Sequence, residues 1–262
     1  MLHTHIRTDF GRSRSALSYP CRDTLLSKRF EAQEQVGEQN LLEVKLARSD
    51  TDREQARGLI NRMYDWRGYG HDHLIPQSEG HSTFLASLDK SLVGTITLAV
   101  DIGDGLAADA IFRDELNTFR RVPDASLCEL TKFAFDTEIP SRKLLASLFH
   151  IVFIYGTRHH RCTHLFIEVN PRHRRFYEAM LGFQPVGSVR TNESVQAPAQ
   201  LMWLEVSNIA ALISEQAGRD GANNRSLYPL FLSRRDEHDV HSRLSHALFV
   251  PPAQERVPAM QN

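Results

Sequence analysis

Two side chains in this 262-residue sequence are of the types, and in the places, that acyl transfer to an amine requires. Glu129 opens the run Glu129-Leu130-Thr131-Lys132-Phe133-Ala134-Phe135-Asp136. Tyr177 lies just beyond the run Phe166-Ile167-Glu168-Val169-Asn170-Pro171-Arg172-His173. An amine attacks a thioester only as the free base, and an α-ammonium group is largely protonated near pH 7. A carboxylate at Glu129 could take that proton directly or through a water. Its neighbours Leu127 and Leu130 would desolvate it in part and move its pKa toward a useful value. A strand glutamate in an ion pair, for example with Lys132, fits the same residues. The Tyr177 phenol could return a proton to a leaving thiolate, with thiol and phenol pKa values of about 8.5 and about 10. Tyr177 packed in the core with Phe176 and Phe183 is the other reading. Backbone N–H groups of Phe133, Ala134 and Phe135 could hold a thioester oxyanion if a neighbouring strand splays away. A plain apolar strand is compatible with that.

Other residues could bind the two reactants. Trp66, Arg67 and Tyr69 sit in a glycine-flanked loop, where substrate contacts concentrate, and Arg67 could pair bidentately with an α-carboxylate. A helix-ending loop with an anchoring aromatic is the alternative. Arg142 and Lys143 charge the start of a helix, whose N-terminus can itself hold an anion. No glycine-rich pyrophosphate loop precedes them, which suits a donor hanging by one phosphate from a carrier. Asn170 is a good N-cap. Arg172, Arg174 and Arg175, with His173, oppose the dipole of the helix they open, a cost that an acidic partner would offset. A solvated basic face explains them equally. His71-Asp72-His73 and His159-His160 lack zinc-site spacing, so no metal is expected. Cys128 and Cys162 read as small buried strand residues.

These groups need a scaffold, and the flanking patterns supply one. Leu42–Leu46 alternates as a strand. Thr51 to Glu54 has the form of a capping box for a helix over about 52–64. Two strands, 82–88 and 92–100, flank a short turn. Residues 105–121 look helical. Then come the Glu129 strand, an apolar helix over 142–157, the strand 163–169, and a helix over 171–181 with Pro171 at its start and Gly182 at its end. Strand 200–206 and a short helix over 208–217 complete the series. Strand, helix, strand, helix around Glu129 and Asn170 is a crossover unit able to clasp a pantetheine arm.

Composition sets outer limits. The net charge is −1 with 41% hydrophobic residues, ordinary for a globular chain and unlike a generic nucleic-acid binder. Three cysteines without a CxxC pair argue against a disulfide framework and for a reducing cytosol. No run of about 18 apolar residues predicts a membrane span. The segment 1–40 reads as a flexible N-terminal extension with a candidate helix around Leu25–Val36. The segment 41–207 reads as the acyltransferase domain, and 208–262 as a C-terminal helix with a loosely attached tail.

From about Val44 to Val206 the chain resembles the bacterial N-acyl amino acid synthases, relatives of the acyl-homoserine-lactone autoinducer synthases within the GNAT fold. The likeness rests on ordered stretches: Tyr64–Tyr69, Val93–Leu98, Ala108–Asn117, Glu129–Asp136, Glu168–Tyr177 and Ala197-Pro198-Ala199. It implies an α+β, three-layer α/β/α fold, a GNAT-like twisted mixed sheet with helices on both faces. It also implies transfer of a long-chain acyl group from acyl carrier protein to the α-amine of an amino acid, with Glu129 as base or amine ligand. No tightly bound cofactor is expected. The co-substrate would be a phosphopantetheine thioester on the carrier, or acyl-CoA, and the lipid product could touch a membrane transiently. Autoinducer synthases carry an arginine three residues after this glutamate, where this chain has Lys132. Lysine keeps the charge without the bidentate fork, which disfavours a homoserine-lactone product. An acetyl-CoA-dependent N-acetyltransferase or an acyl-homoserine-lactone-type autoinducer synthase is the enzymatic rival, and a non-catalytic module that binds acyl carrier protein is the rival of another class.

Overall fold

The computed structural model describes residues 23–31, 39–65, 68–70, 72–136, 142–219 and 225–249. Most of the expected N-terminal extension, the end of the tail and His71 therefore lie outside the described residues. Among the described ones is one mixed sheet of order β1-β2-β3-β4-β5-β6-β8-β7. The strands are β1 (Thr24–Glu31), β2 (Gln39–Leu46), β3 (His81–Leu88), β4 (Ser91–Val100), β5 (Leu127–Phe135), β6 (His164–Val169), β7 (Gln184–Asn192) and β8 (Ala197–Glu205). Among the described strands only β5 and β6 run parallel. The connection between them is helix α3 (Arg142–Arg158), as a parallel crossover demands.

Helices cover both faces. Leu144, Leu148, Ile151 and Val152 of α3 pack on Phe84, Ile96, Leu98 and Ile167. The same apolar layer takes in Ile209 of α5 (Val206–Gln216) and Val240 and Leu244 of α6 (Arg234–Phe249). The opposite face carries α1 (Asp50–Asp65), whose Ala56, Leu59 and Ile60 meet Leu85 and Ala134. It also carries α2 (Asp109–Arg120), whose Phe112 and Leu116 meet Leu127, Phe166 and Leu201. The three-layer α+β arrangement expected from the sequence is the one observed. No helix among the described residues is long and apolar enough to cross a membrane.

Four local expectations need correction. The helix expected around Leu25–Val36 is, over its described part, the strand β1, paired antiparallel with β2 (Leu26 opposite Val44) and overlaid by α6 through a Lys28–Asp236 ion pair of 2.6 Å. Sheet pairing supplies backbone partners that an isolated short helix lacks. The tail expected to be loose is core as far as the description runs: Leu227, Tyr228, Phe231 and Leu232 are buried. The Tyr228 hydroxyl donates to the Leu181 carbonyl at 2.9 Å, and the Leu232 N–H to His150 Nδ1 at 2.9 Å. The capping box of α1 is Ser49 with Asp52, not Thr51 with Glu54. Ser49 Oγ accepts from the Asp52 N–H at 3.0 Å, and Asp52 accepts from the Ser49 N–H at 3.3 Å. Strand β7 is an addition to the expected series; its sequence QPVGSVRTN is mostly exposed and holds a proline that only an edge strand tolerates.

The feature that makes a site is a break in the sheet. The β5–β6 ladder ends at Leu130 opposite Ile167, while β6 stays paired with β8 as far as Val169 opposite Gln200. Strand β5 leaves because it bulges. Thr97 faces Thr131 but Thr95 faces Ala134, and Lys132 between them sits at φ 50°. An extra residue in one strand bends it away from its neighbour. The Tyr64 hydroxyl, on α1, donates to the Phe133 carbonyl at 3.2 Å and pins the bulge.

Candidate active site

A cleft of about 500 Å³ occupies the opened β5–β6 seam, within the usual range for a small-molecule site. Its wall on the α3 side is apolar: Ile96, Leu130, Leu145, Phe149 and Ile167. Its wall on the α2 side is mixed, with Thr131, Glu168, Asn192 and the stretch 197–199. Tyr64 and Tyr69 lie at one rim. Asn170 and His173, before α4 (Arg174–Leu181), and Phe176 and Tyr177, within it, line the cleft beside them, Arg172 meeting Tyr69.

Several predicted residues meet here. Tyr177, Lys132, Phe133, Phe135, Tyr69 and Asn170 all line the cleft. Tyr177 stands edge-on to Phe176 at 5.1 Å and to Phe183 at 6.1 Å between ring centroids. These contacts are the ones the packing reading of Tyr177 expects. Lys132 sits in the wall and burial lowers its pKa, a sign that its ammonium is partly stripped of water. Asn170 caps the 3-10 turn at Pro171–His173, accepting from the Arg172 N–H at 3.1 Å, and Gly182 ends α4 at φ 83°. The predicted basic residues are not part of the cleft wall. Arg172 donates to the Tyr69 hydroxyl at 3.1 Å, Arg174 pairs with Glu178 at 2.6 Å, and Arg175 and Lys143 are exposed.

Other expected site residues lie elsewhere. Glu129 is 2% exposed and is not part of the cleft wall. It does not pair with Lys132. Its Oε2 accepts the Ala108 N–H at 3.1 Å, at the start of α2, and the Ala107 N–H also donates to its carboxyl. Burial pushes its pKa up to about 8, against the pull of those two N–H groups, with Glu168 and Asp109 adding to the rise. Alternation along β5 explains the placement: odd-numbered Leu127 and Glu129 face α2, beneath the point where the seam opens. Ala134 is buried under α1. Arg142 spends one guanidinium nitrogen on the carbonyls of Arg225 and Ser226, at 3.0 and 2.9 Å, so it ties α3 to the C-terminal segment. Trp66 and Arg67 lie outside the described residues, as does the loop over 137–141.

The sequence pattern assigns no role to Glu168, Asn192 or Phe149. Asn192 Nδ2 donates to Glu168 Oε1 at 2.6 Å, joining two strands across the α2-side wall. Burial raises the Glu168 pKa, the Asn192 hydrogen bond opposing it. Glu168 stands two residues past Phe166 and so shares its face, a placement that alternation back from Asn170 is able to flag. Asn192 carries no such signal, because its strand is not recognisable by pattern.

No curated protein sequence matches the chain. A family model described as N-acyl amino acid synthase FeeM matches residues 55–205. The solved structure of FeeM, an N-acyl amino acid synthase from uncultured soil microbes, is 29% identical, with a TM-score of 0.60 over 65% of this chain and 94% of that one. The acyl-homoserine-lactone synthase LasI is 13% identical, with a TM-score of 0.48 over 63% of this chain and 90% of its own. Escherichia coli ElaA is 13% identical, with a TM-score of 0.47 over 63% and 99%. With more than half of its length matched, and with a cleft in the seam where that match runs, the chain belongs to the FeeM family of N-acyl amino acid synthases and is an N-acyltransferase.

Proposed function

We propose that this enzyme moves a long-chain acyl group from the phosphopantetheine thioester of acyl carrier protein to the α-amine of an amino acid. The observation that carries the reading is the division of the cleft. Its α3-side wall is apolar and continuous, suited to an alkyl chain, whereas its α2-side wall holds a carboxylate and an amide. The seam between them is where a thioester carbon and an amine can meet. Lys132, a cation in that wall, suits the acceptor's carboxylate. Backbone amides at the β5 bulge supply the oxyanion contacts, and Tyr177 is the group best placed to protonate the departing thiolate.

Surface charge favours a carrier protein over free coenzyme A. Lys143, Arg172 and Arg175 are exposed cations on α3, on α4 and on the segment leading into α4, elements that also line the cleft, and an acidic partner would suit them. The test supplies purified protein with long-chain acyl carrier protein, the matching acyl-CoA and acetyl-CoA, each with a mixture of amino acids, and reads products by mass spectrometry. N-acyl amino acids from the carrier thioester are the expected result. Product only from acetyl-CoA would make it an acetyltransferase, and an intact thioester under every condition would make it a binding module. A Lys143→Glu/Arg175→Glu variant should raise KM for acyl carrier protein by about tenfold at low salt, an effect fading as salt screens the charges. A short acyl-pantetheine donor should be unaffected. The fold should not suffer, since acidic residues in the first turns of α3 and α4 suit the helix dipoles.

A further inference from the structure

The α-amine must lose a proton before it attacks, and the region of the seam offers two carboxylates, Glu129 and Glu168. Their surroundings differ. Both belong to the sheet face covered by α2, but Glu129 lies under the first turn of α2 with its carboxyl bonded to backbone N–H groups. It takes no part in the cleft wall. Glu168, one strand over and further along, is part of that wall. Asn192 holds its Oε1 at 2.6 Å, and its Oε2 has no donor among the described residues. An amide that fixes one oxygen leaves the other aimed and available.

Resting on the acyltransferase reading, we infer that Glu168 is the carboxylate that contacts the acceptor's amine and takes its proton, with Asn192 as its positioning residue. The ammonium gives one proton to Glu168 Oε2, and the freed nitrogen attacks the thioester carbon. The C–N bond forms and the C–S bond breaks. One further proton leaves the nitrogen as the amide forms and one is taken up by the departing thiolate, so a single proton remains for Glu168 to release to solvent. Glu129 serves this arrangement from behind. It keeps its proton at neutral pH, so Glu168 can carry the negative charge without a second anion beside it. Lys132 of β5, His173 before α4 and Tyr177 of α4 are further titratable groups on the cleft wall, with Tyr64 and Tyr69 at the rim.

The experiment compares Glu168→Gln, Glu168→Asp and wild type with two acceptors, the preferred amino acid and hydroxylamine, the latter already neutral at pH 7. The amide introduced by Glu168→Gln still offers its oxygen to Asn192, so the fold is spared. With the amino acid, Glu168→Gln should lose about 10²–10⁴-fold in kcat, with KM for the acyl donor unchanged, and Glu168→Asp should recover part of it. With hydroxylamine, Glu168→Gln should stay within a few-fold of wild type. Full amino-acid turnover by Glu168→Gln overturns the assignment, and so does equal loss with both acceptors, which would mark a structural role. A wild-type enzyme that acylates no amino acid from any donor overturns the reading beneath it as well.

Discussion

Replacing Phe149 with tryptophan should shorten the acyl chain this enzyme prefers, and replacing it with leucine should lengthen it. Phe149 is 6% exposed and lines the main cleft of about 500 Å³. With Leu130 it also lines a second cavity of about 30 Å³ behind the first, between α3 and the sheet. That cavity is apolar, walled by residues such as Val152, Leu181, Leu204, Tyr228 and Phe231. Small apolar cavities stay dry, so an entering methyl group displaces no bound water. Phe149 is packed against Phe133 at 5.4 Å between ring centroids, and it stands with Leu130 in the walls of both cavities. Each methylene buried is worth about 0.8 kcal/mol, roughly fourfold in kcat/KM. A tryptophan that excludes two methylenes should therefore lower the long-to-short donor ratio by roughly 15-fold. Competition between carrier thioesters two carbons apart reads that ratio directly. Unchanged ratios in both variants would show that the chain takes another route.

Much of this is legible in the sequence because the crossover unit is written in strong local terms. The apolar run Leu144–Ile154, the Asn170–Pro171 start and the Gly182 stop each have a local cause, and all three stand where the pattern puts them. The face on which Glu129 lies is harder to read. A single left-handed residue, Lys132, inserts the bulge that opens the seam, and nothing in its side chain announces a positive φ. Strand β1 does not look like a strand because Leu25 and Leu26 are both buried, across a register shift, and the shift erases the alternation. The partners of Glu168 and Arg142 are 24 and 83 or 84 residues away in the chain. Local pattern carries no trace of such pairs; tertiary packing alone makes them.

Glu129→Gln should make the protein more stable than wild type at pH 9 and leave it nearly unchanged at pH 5. The carboxyl of Glu129 is pushed from an ordinary 4.5 up to about 8 by burial. Below about pH 4.5 it is protonated in both the folded and unfolded chain, and its contribution to stability is fully present. Between 4.5 and about 8 the unfolded chain ionises while the folded one keeps its proton, so the unfolded state binds fewer protons and stability falls as pH rises. Above about 8 both states are ionised and the full penalty remains. At about 1.4 kcal/mol for each pKa unit, the loss amounts to several kcal/mol across the window. Glutamine has nearly the same shape, can accept the Ala108 N–H, and does not titrate. The Glu129 charge raises the buried Cys128 thiol, and Glu168 raises Glu129, so removing that charge relieves repulsion at high pH and adds to the expected gain. Denaturant unfolding of the two proteins at pH 5 and pH 9 measures that difference. A variant less stable than wild type at pH 9 would mean that the N–H groups of Ala107 and Ala108 hold an ionised carboxylate firmly enough to outweigh its burial. Glu129 would then be a charged cap of α2, and Glu168 would work beside a permanent anion.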